Sequence, residues 1–158
     1  MNIKLICVGK IKESFYRDAI SEYVKRLSRY CSLTIVEVED EKTPDKASDA
    51  LEEQIKEKEG KRILEKVSDC HMILLDIGGK KYDSIGFAHQ IEDYGIRGKS
   101  NLCFVIGGSL GVSKEVRNRA DERISFSDMT FPHQLMRVIL LEQLYRCYRI
   151  IHHEPYHK

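Results

Sequence analysis

Apolar residues along the chain alternate between two spacings. Ile3 to Val8 is a short, compact apolar run closed by Gly9, the mark of a buried strand. Phe15, Ala19, Ile20, Tyr23, Val24 and Leu27 then recur at helical spacing with Lys and Arg between them, which predicts an amphipathic helix. Leu33 to Val38 is β-branched and partly alternating, a second strand, and residues 39–48 form a polar loop containing Pro44. A highly charged helix follows, roughly Asp49 to Lys66, with Leu51, Ile55, Ile63 and Leu64 as a thin apolar stripe, so most of its surface is expected to face solvent.

The alternation continues to the end. His71 to Ile77 reads as a third strand that breaks at Gly78-Gly79, and Ser84 to Tyr94 as a helix. Asn101 to Ile106 is a fourth strand running into Gly107-Gly108-Ser109-Leu110-Gly111. Ser113 is placed to cap a short helix over Lys114 to Ala120. A fifth strand, Arg123 to Ser127, leads through the loop Asp128 to Pro132 into the longest helix, which ends near Ile151. Strands alternating with helices predict a mainly parallel sheet with helices on both faces, in one α/β domain over residues 1–158.

Length and composition agree with that reading. The chain has 158 residues, 42% hydrophobic and 32% charged, enough for one core and too polar for a membrane protein. No apolar run approaches the ~18 residues a membrane span needs, and the short apolar start before Gly9 does not read as a signal peptide. Five cysteines, Cys7, Cys31, Cys70, Cys103 and Cys147, are odd in number and widely spaced, with no CxxC pair. They read as reduced thiols of a cytoplasmic protein, with neither a disulfide framework nor a metal site expected.

The charge is +1 overall, 26 Lys and Arg against 25 Asp and Glu, so no strongly basic surface announces nucleic acid. The distribution is uneven. Residues 1–36 hold seven basic and three acidic side chains, residues 37–69 seven and twelve, and residues 133–158 four and two, with four of the six histidines in that last stretch.

Open α/β sheets bind ligands beyond the carboxyl ends of their strands. Three such ends carry suggestive loops here: after Leu75, after Ile106 and after Phe126. Gly107 and Gly108 either let a ligand approach the backbone or simply make a tight turn; they match neither GxGxxG nor a nucleoside-triphosphate loop. Phe126, Met129 and Phe131 interleave with Ser127 and Thr130, so the loop can wall a flat ligand or plug the core beneath a helix end. His133, in the first turn of the last helix, is either a substrate contact or an ordinary polar helix start. Arg137 and Arg146 suit phosphate or solvent equally, and the tail His152 to Lys158 is either inert or closes over a substrate.

Read together, these residues resemble the RlmH family of SPOUT methyltransferases. The resemblance runs from Val8-Gly9-Lys10 and Glu22-Tyr23 through Phe104 to Ser109 and Met129 to Gln134. It ends in Arg137-Val138, Glu142-Gln143, Tyr145-Arg146 and Pro155-Tyr156-His157-Lys158, which are its most specific blocks. It implies a C-terminal trefoil knot, S-adenosylmethionine (SAM) as cofactor, and methylation of N3 of a pseudouridine in large-subunit ribosomal RNA on the assembled ribosome. The cofactor positions it implies are Leu75, Gly107, Phe126, Ser127, Asp128, Met129, Thr130 and Phe131. Asp128 stands where the family often carries lysine, and Leu110 where a smaller polar residue is common. His133, Tyr156 and His157 become candidates for moving the imide proton, ahead of Glu142; Arg137, Arg146 and Lys158 become candidates for RNA contact. The family works as a homodimer, which suits a near-neutral chain too small to grip RNA alone. A flavodoxin-like binder of a phosphorylated cofactor and a ribosome-associated module without transfer activity are the alternatives.

Overall fold

In the computed structural model, which describes all 158 residues, the order of elements is the alternating one. The strands are β1 (Asn2–Val8), β2 (Ser32–Val38), β3 (His71–Lys81), β4 (Asn101–Ile106) and β5 (Glu122–Ser125). The helices are α1 (Ser14–Leu27), α2 (Asp49–Lys66), α3 (Ser84–Ile96), α4 (Lys114–Arg119) and α5 (His133–Ile151). All strand pairings are parallel, in the order β2-β1-β4-β3-β5.

Because successive side chains of a strand point to opposite faces, the compact apolar runs supply two cores at once. Ile3, Leu5 and Cys7 join Phe104, Ile106 and the inner sides of α1, α3 and α5 in the larger cluster. Ile6 and Val8 join Met72, Leu74, Cys103 and Val105 beneath Ile63 of α2 and Val116 of α4 in the smaller one. The thin stripe of α2 is thus enough: it buries Ile55, Glu59, Gly60 and Ile63 and leaves its other faces to solvent. Gly60 has a packing reason, since a Cβ there would sit 2.5 Å from Ser113 Oγ. Ser48 and Ser113 both cap, accepting from the amides of Leu51 and Val116. All five cysteines are free thiols, and burial pushes those of Cys7 and Cys103 up to about 12. No helix is long and apolar enough to cross a membrane.

The expected break at Gly78-Gly79 is a correction. β3 pairs with β5 through Leu75, bulges out over residues 76–79, and pairs with it again at Lys80 and Lys81. Glycine is needed at position 79, where a Cβ would lie 2.6 Å from the backbone of Arg123 and Ile124.

One connection shapes the rest of the molecule. β5 is an edge strand, yet α5 begins near β1: Arg137, in its second turn, donates to the carbonyls of Val8 (3.1 Å) and Gly9 (2.7 Å). The chain between them crosses the ends of β3 and β4, three inter-strand steps or about 14 Å.

Candidate functional site

That crossing roofs a cavity of about 670 Å3, within the roughly 300–1,000 Å3 of small-molecule sites. β3 contributes Leu75, Asp76 and Ile77 from the start of its bulge. β4 contributes Ile106 and the loop Gly107 to Val112. The two glycines are closely packed: a Cβ at 107 would lie 2.7 Å from Val112 Cγ1, and one at 108 would lie 3.0 Å from Glu59 Oε1 and 3.3 Å from Val8 Cγ1. The turn after β5 is held by its own hydroxyls, Ser125 Oγ donating to the Ser127 carbonyl (3.0 Å) and Ser127 Oγ accepting from the Met129 amide (2.9 Å). Phe126 serves both alternatives at once. Its ring meets Phe87 edge-on at 5.7 Å and packs on the larger core, while it also walls the cavity.

Polar groups enter from two sides. Asp76 Oδ2 pairs with Arg123 Nη1 (3.1 Å) and Arg117 Nε (3.4 Å) on the outer side. On the inner side His133 lines the cavity with a buried Nδ1 that has no hydrogen-bond partner. Burial, then the charge of Arg137, holds the His133 imidazole below its ordinary pKa, so it is neutral at pH 7.

The C-terminal tail folds back elsewhere. His153 adopts φ +54°, a left-handed turn that reverses the chain, and Glu154 accepts from Tyr30 Oη (2.5 Å) and pairs with Arg149 (2.7 Å). Tyr156 Oη then donates to Glu142 Oε1 (3.0 Å), with Arg146 over its ring, and Arg146 Nη1 lies 3.1 Å from His157 Nδ1. Burial and the Glu142 bond push the Tyr156 phenol up to about 12. Along α5, Arg146 stands 13 residues from His133, about 20 Å of helix.

A family profile described as "Predicted SPOUT methyltransferase" matches residues 1–157. The chain belongs to the SPOUT methyltransferase family. It is 61% identical over 159 aligned residues to the ribosomal RNA large subunit methyltransferase H of Clostridium novyi. It is 59% identical to the protein of Clostridium perfringens named ribosomal RNA large subunit methyltransferase H 1; both alignments cover 100% of each chain. Among solved structures, a methylase-family protein of Haemophilus influenzae superposes with a TM-score of 0.52 at 12% identity, over 99% of this chain and 70% of that one. A protein of Legionella pneumophila described as a "putative methyltransferase", solved with bound SAM, also gives 0.52, at 10% identity over 94% and 66%. These last two bear on the fold alone.

For this SPOUT methyltransferase the structure gathers most of the residues singled out in the sequence. Leu75, Gly107, Phe126 and Ser127 line the cavity, as do Met129, Thr130 and Phe131. Asp128 does not: its side chain is 79% exposed and pairs with Lys81. Arg137 is also a correction. Only 2% exposed, it spends its guanidinium on Glu37 and two carbonyls, so it offers nothing to RNA. His133 reaches the cavity, whereas Tyr156, His157, Arg146 and the exposed Lys158 lie outside its lining. Sequence reasoning missed Asp76 and Arg117. An acid directly after the apolar run Met72 to Leu75 was the available signal for Asp76; nothing local distinguishes Arg117 from the other basic residues of α4.

Proposed function

We propose that this SPOUT methyltransferase transfers a methyl group from SAM to N3 of a pseudouridine in large-subunit ribosomal RNA, on the assembled ribosome in the cytoplasm and as a homodimer. The observation that carries the reading is the cavity at the ends of β3, β4 and β5, whose lining coincides with seven of the eight cofactor positions implied by the family resemblance. The names of full-length relatives about 60% identical support the choice of RNA.

The lining fits SAM chemically. Leu75, Ile106 and Phe126 offer apolar walls for a flat base, the 107–112 loop offers backbone groups for its edge, and Asp76 with Arg117 offers charge for the amino-acid end. Bound there, SAM supplies a methyl already activated by its sulfonium. The protein's task is therefore proximity and orientation, plus an outlet for the imide proton of the pseudouridine. Neutral His133, at the cavity wall, is the group suited to accept that proton. Tyr156 holds its own proton against Glu142 and is suited to donating a hydrogen bond instead.

The tail supports the dimer. It is held on Glu142 and Arg146, six and ten residues or about 9 and 15 Å of α5 beyond Met136 of the cavity lining, and no residue of it lines its own cavity, which suits a tail that serves a second copy. The crossing from the β5 edge to β1 supports a knotted C-terminal portion.

Radiolabelled methyl transfer from SAM tests the function, comparing assembled ribosomes, free large subunits and naked ribosomal RNA, with SAM and flavin mononucleotide titrated separately. Transfer to assembled ribosomes at pseudouridine N3 with SAM binding is the expected result. Flavin binding without SAM binding, or SAM binding without transfer to any of the three substrates, overturns it.

A further inference from the structure

We infer that the outer lip of the cavity, built from the β3 bulge and the neighbouring turn of β5, is the surface on which the substrate RNA lands, held by Lys80, Lys81 and Arg123. The inference rests on the RNA-methylating reading above and names the face that reading leaves open.

The sequence offered Arg137, Arg146 and Lys158 for this task. Burial removes Arg137, and Arg146 is committed to Glu142 at 2.8 Å. A different set of cations surrounds the cavity mouth. Lys80 and Lys81 follow the bulge, Arg123 stands across from it on β5, and Arg117 enters from α4. The carboxylates that pair with them are two: Asp76, shared by both arginines, and Asp128, bonded to Lys81. Four cations share two paired carboxylates there, leaving positive charge available beside the cavity of a molecule whose total is only +1. The Lys81–Asp128 pair is exposed on both sides and holds little energy, so a phosphate can replace that carboxylate at small cost, while Arg123, 44% exposed, keeps a solvent-facing edge free of Asp76.

The backbone keeps this charge open. Gly78 carries no side chain, the nearest atom to a Cβ there would be Arg123 Nη1 at 4.0 Å, and the Arg123 side chain is 44% exposed. Two large apolar side chains stand beside the cations on the cavity's rim, Ile77 at 53% and Met129 at 74% exposure. Cations for phosphate next to apolar surface for an unstacked base are what a single-stranded or looped RNA target requires.

Two variants test the surface without touching the cavity's polar lining: Lys80→Gln with Lys81→Gln, and Gly78→Glu, which sets a carboxylate against Arg123. Lys58→Gln with Lys61→Gln on the exposed side of α2 is the control. Sedimentation with large ribosomal subunits reads binding independently of methyl transfer, and SAM affinity reports that the cavity is intact. Both lip variants are expected to weaken subunit binding and raise KM for ribosomes about tenfold, with SAM affinity within about twofold of wild type. The double variant should also reduce the slope of log binding against log salt by about two. Lip variants that bind as the control does overturn the inference, whether or not transfer is seen. Wild-type binding and lip-dependent binding without any methyl transfer would overturn the enzymatic reading and leave the landing surface standing.

Discussion

Arg137 Nη1 meets Glu37 Oε2 at 2.7 Å, joining the last helix to the end of the edge strand β2 across 100 residues of sequence. The same guanidinium donates to Val8 and Gly9, so one side chain fastens the roof of the cavity to two strand ends. Arg137→Met leaves those acceptors without a donor and should cost about 3 kcal/mol. Denaturant unfolding checks this, and SAM affinity should fall with stability because His133 and Met136 share the first turns of α5. An unfolding midpoint within error of wild type would show that the clamp is dispensable.

His133 titrates below the ordinary histidine value of 6.5 because burial and Arg137 disfavour its charged form. Its neutral form is therefore native-favoured, and the unfolded chain binds the proton more readily. Stability gains nothing from this group above pH 6.5 and declines as pH falls below it. His133→Gln should flatten that acid decline, read by thermal melts from pH 5 to 8, and should lower kcat about 100-fold if the imidazole takes the imide proton. Unchanged kcat in a folded His133→Gln protein would remove it from the chemistry.

Glu59 is 5% exposed, and burial, with Asp40 and Glu41 nearby, raises its pKa against the opposing pull of the Glu41 amide and Arg62. A raised carboxyl pKa means that stability is lost as pH rises from 4.5 through the folded value. Glu59→Gln keeps an acceptor for the Glu41 amide and removes the buried charge. It should be more stable than wild type at pH 7, with the advantage vanishing near pH 4, as measured by urea midpoints at both values.

The adjacent glycines of the β3 bulge should respond oppositely. Gly79→Ala drives a Cβ into the Arg123–Ile124 backbone at 2.6 Å, whereas Gly78→Ala meets nothing nearer than 4.0 Å. Overpacking of this kind costs about 1–3 kcal/mol. Gly79→Ala should lower both stability and SAM affinity, because the displaced bulge carries Asp76 and Ile77; Gly78→Ala should change neither. Equal melting temperatures for the two variants would contradict the close approach.

Deleting Tyr156 to Lys158 removes the bonds to Glu142 and Arg146 but nothing that lines the cavity. Methylation of ribosomes should be abolished while SAM affinity stays within about twofold. A truncated protein that methylates at the normal rate would show that the tail neither docks nor catalyses.

Much of this was determined by sequence alone, because the signals are local. Strand runs such as Asn101 to Ile106 and the helical spacing of α1 and α5 fix element order through side-chain period, and Ser48 and Ser113 mark helix starts by bonding amides three residues on. The three strand-end loops were legible for the same reason: in a parallel sheet the ends must lie side by side. The extension of β3 beyond Gly78-Gly79 was not, since glycine breaks a strand by propensity and only the approach of Arg123 and Ile124 shows why position 79 needs one. Nor was the fate of charge. Arg137 and Arg146 sit on one helix in similar company, yet one is sealed against β1 and β2 while the other binds the tail. A charged side chain's role depends on partners up to 129 residues away, and only the tertiary structure brings those partners within bonding distance.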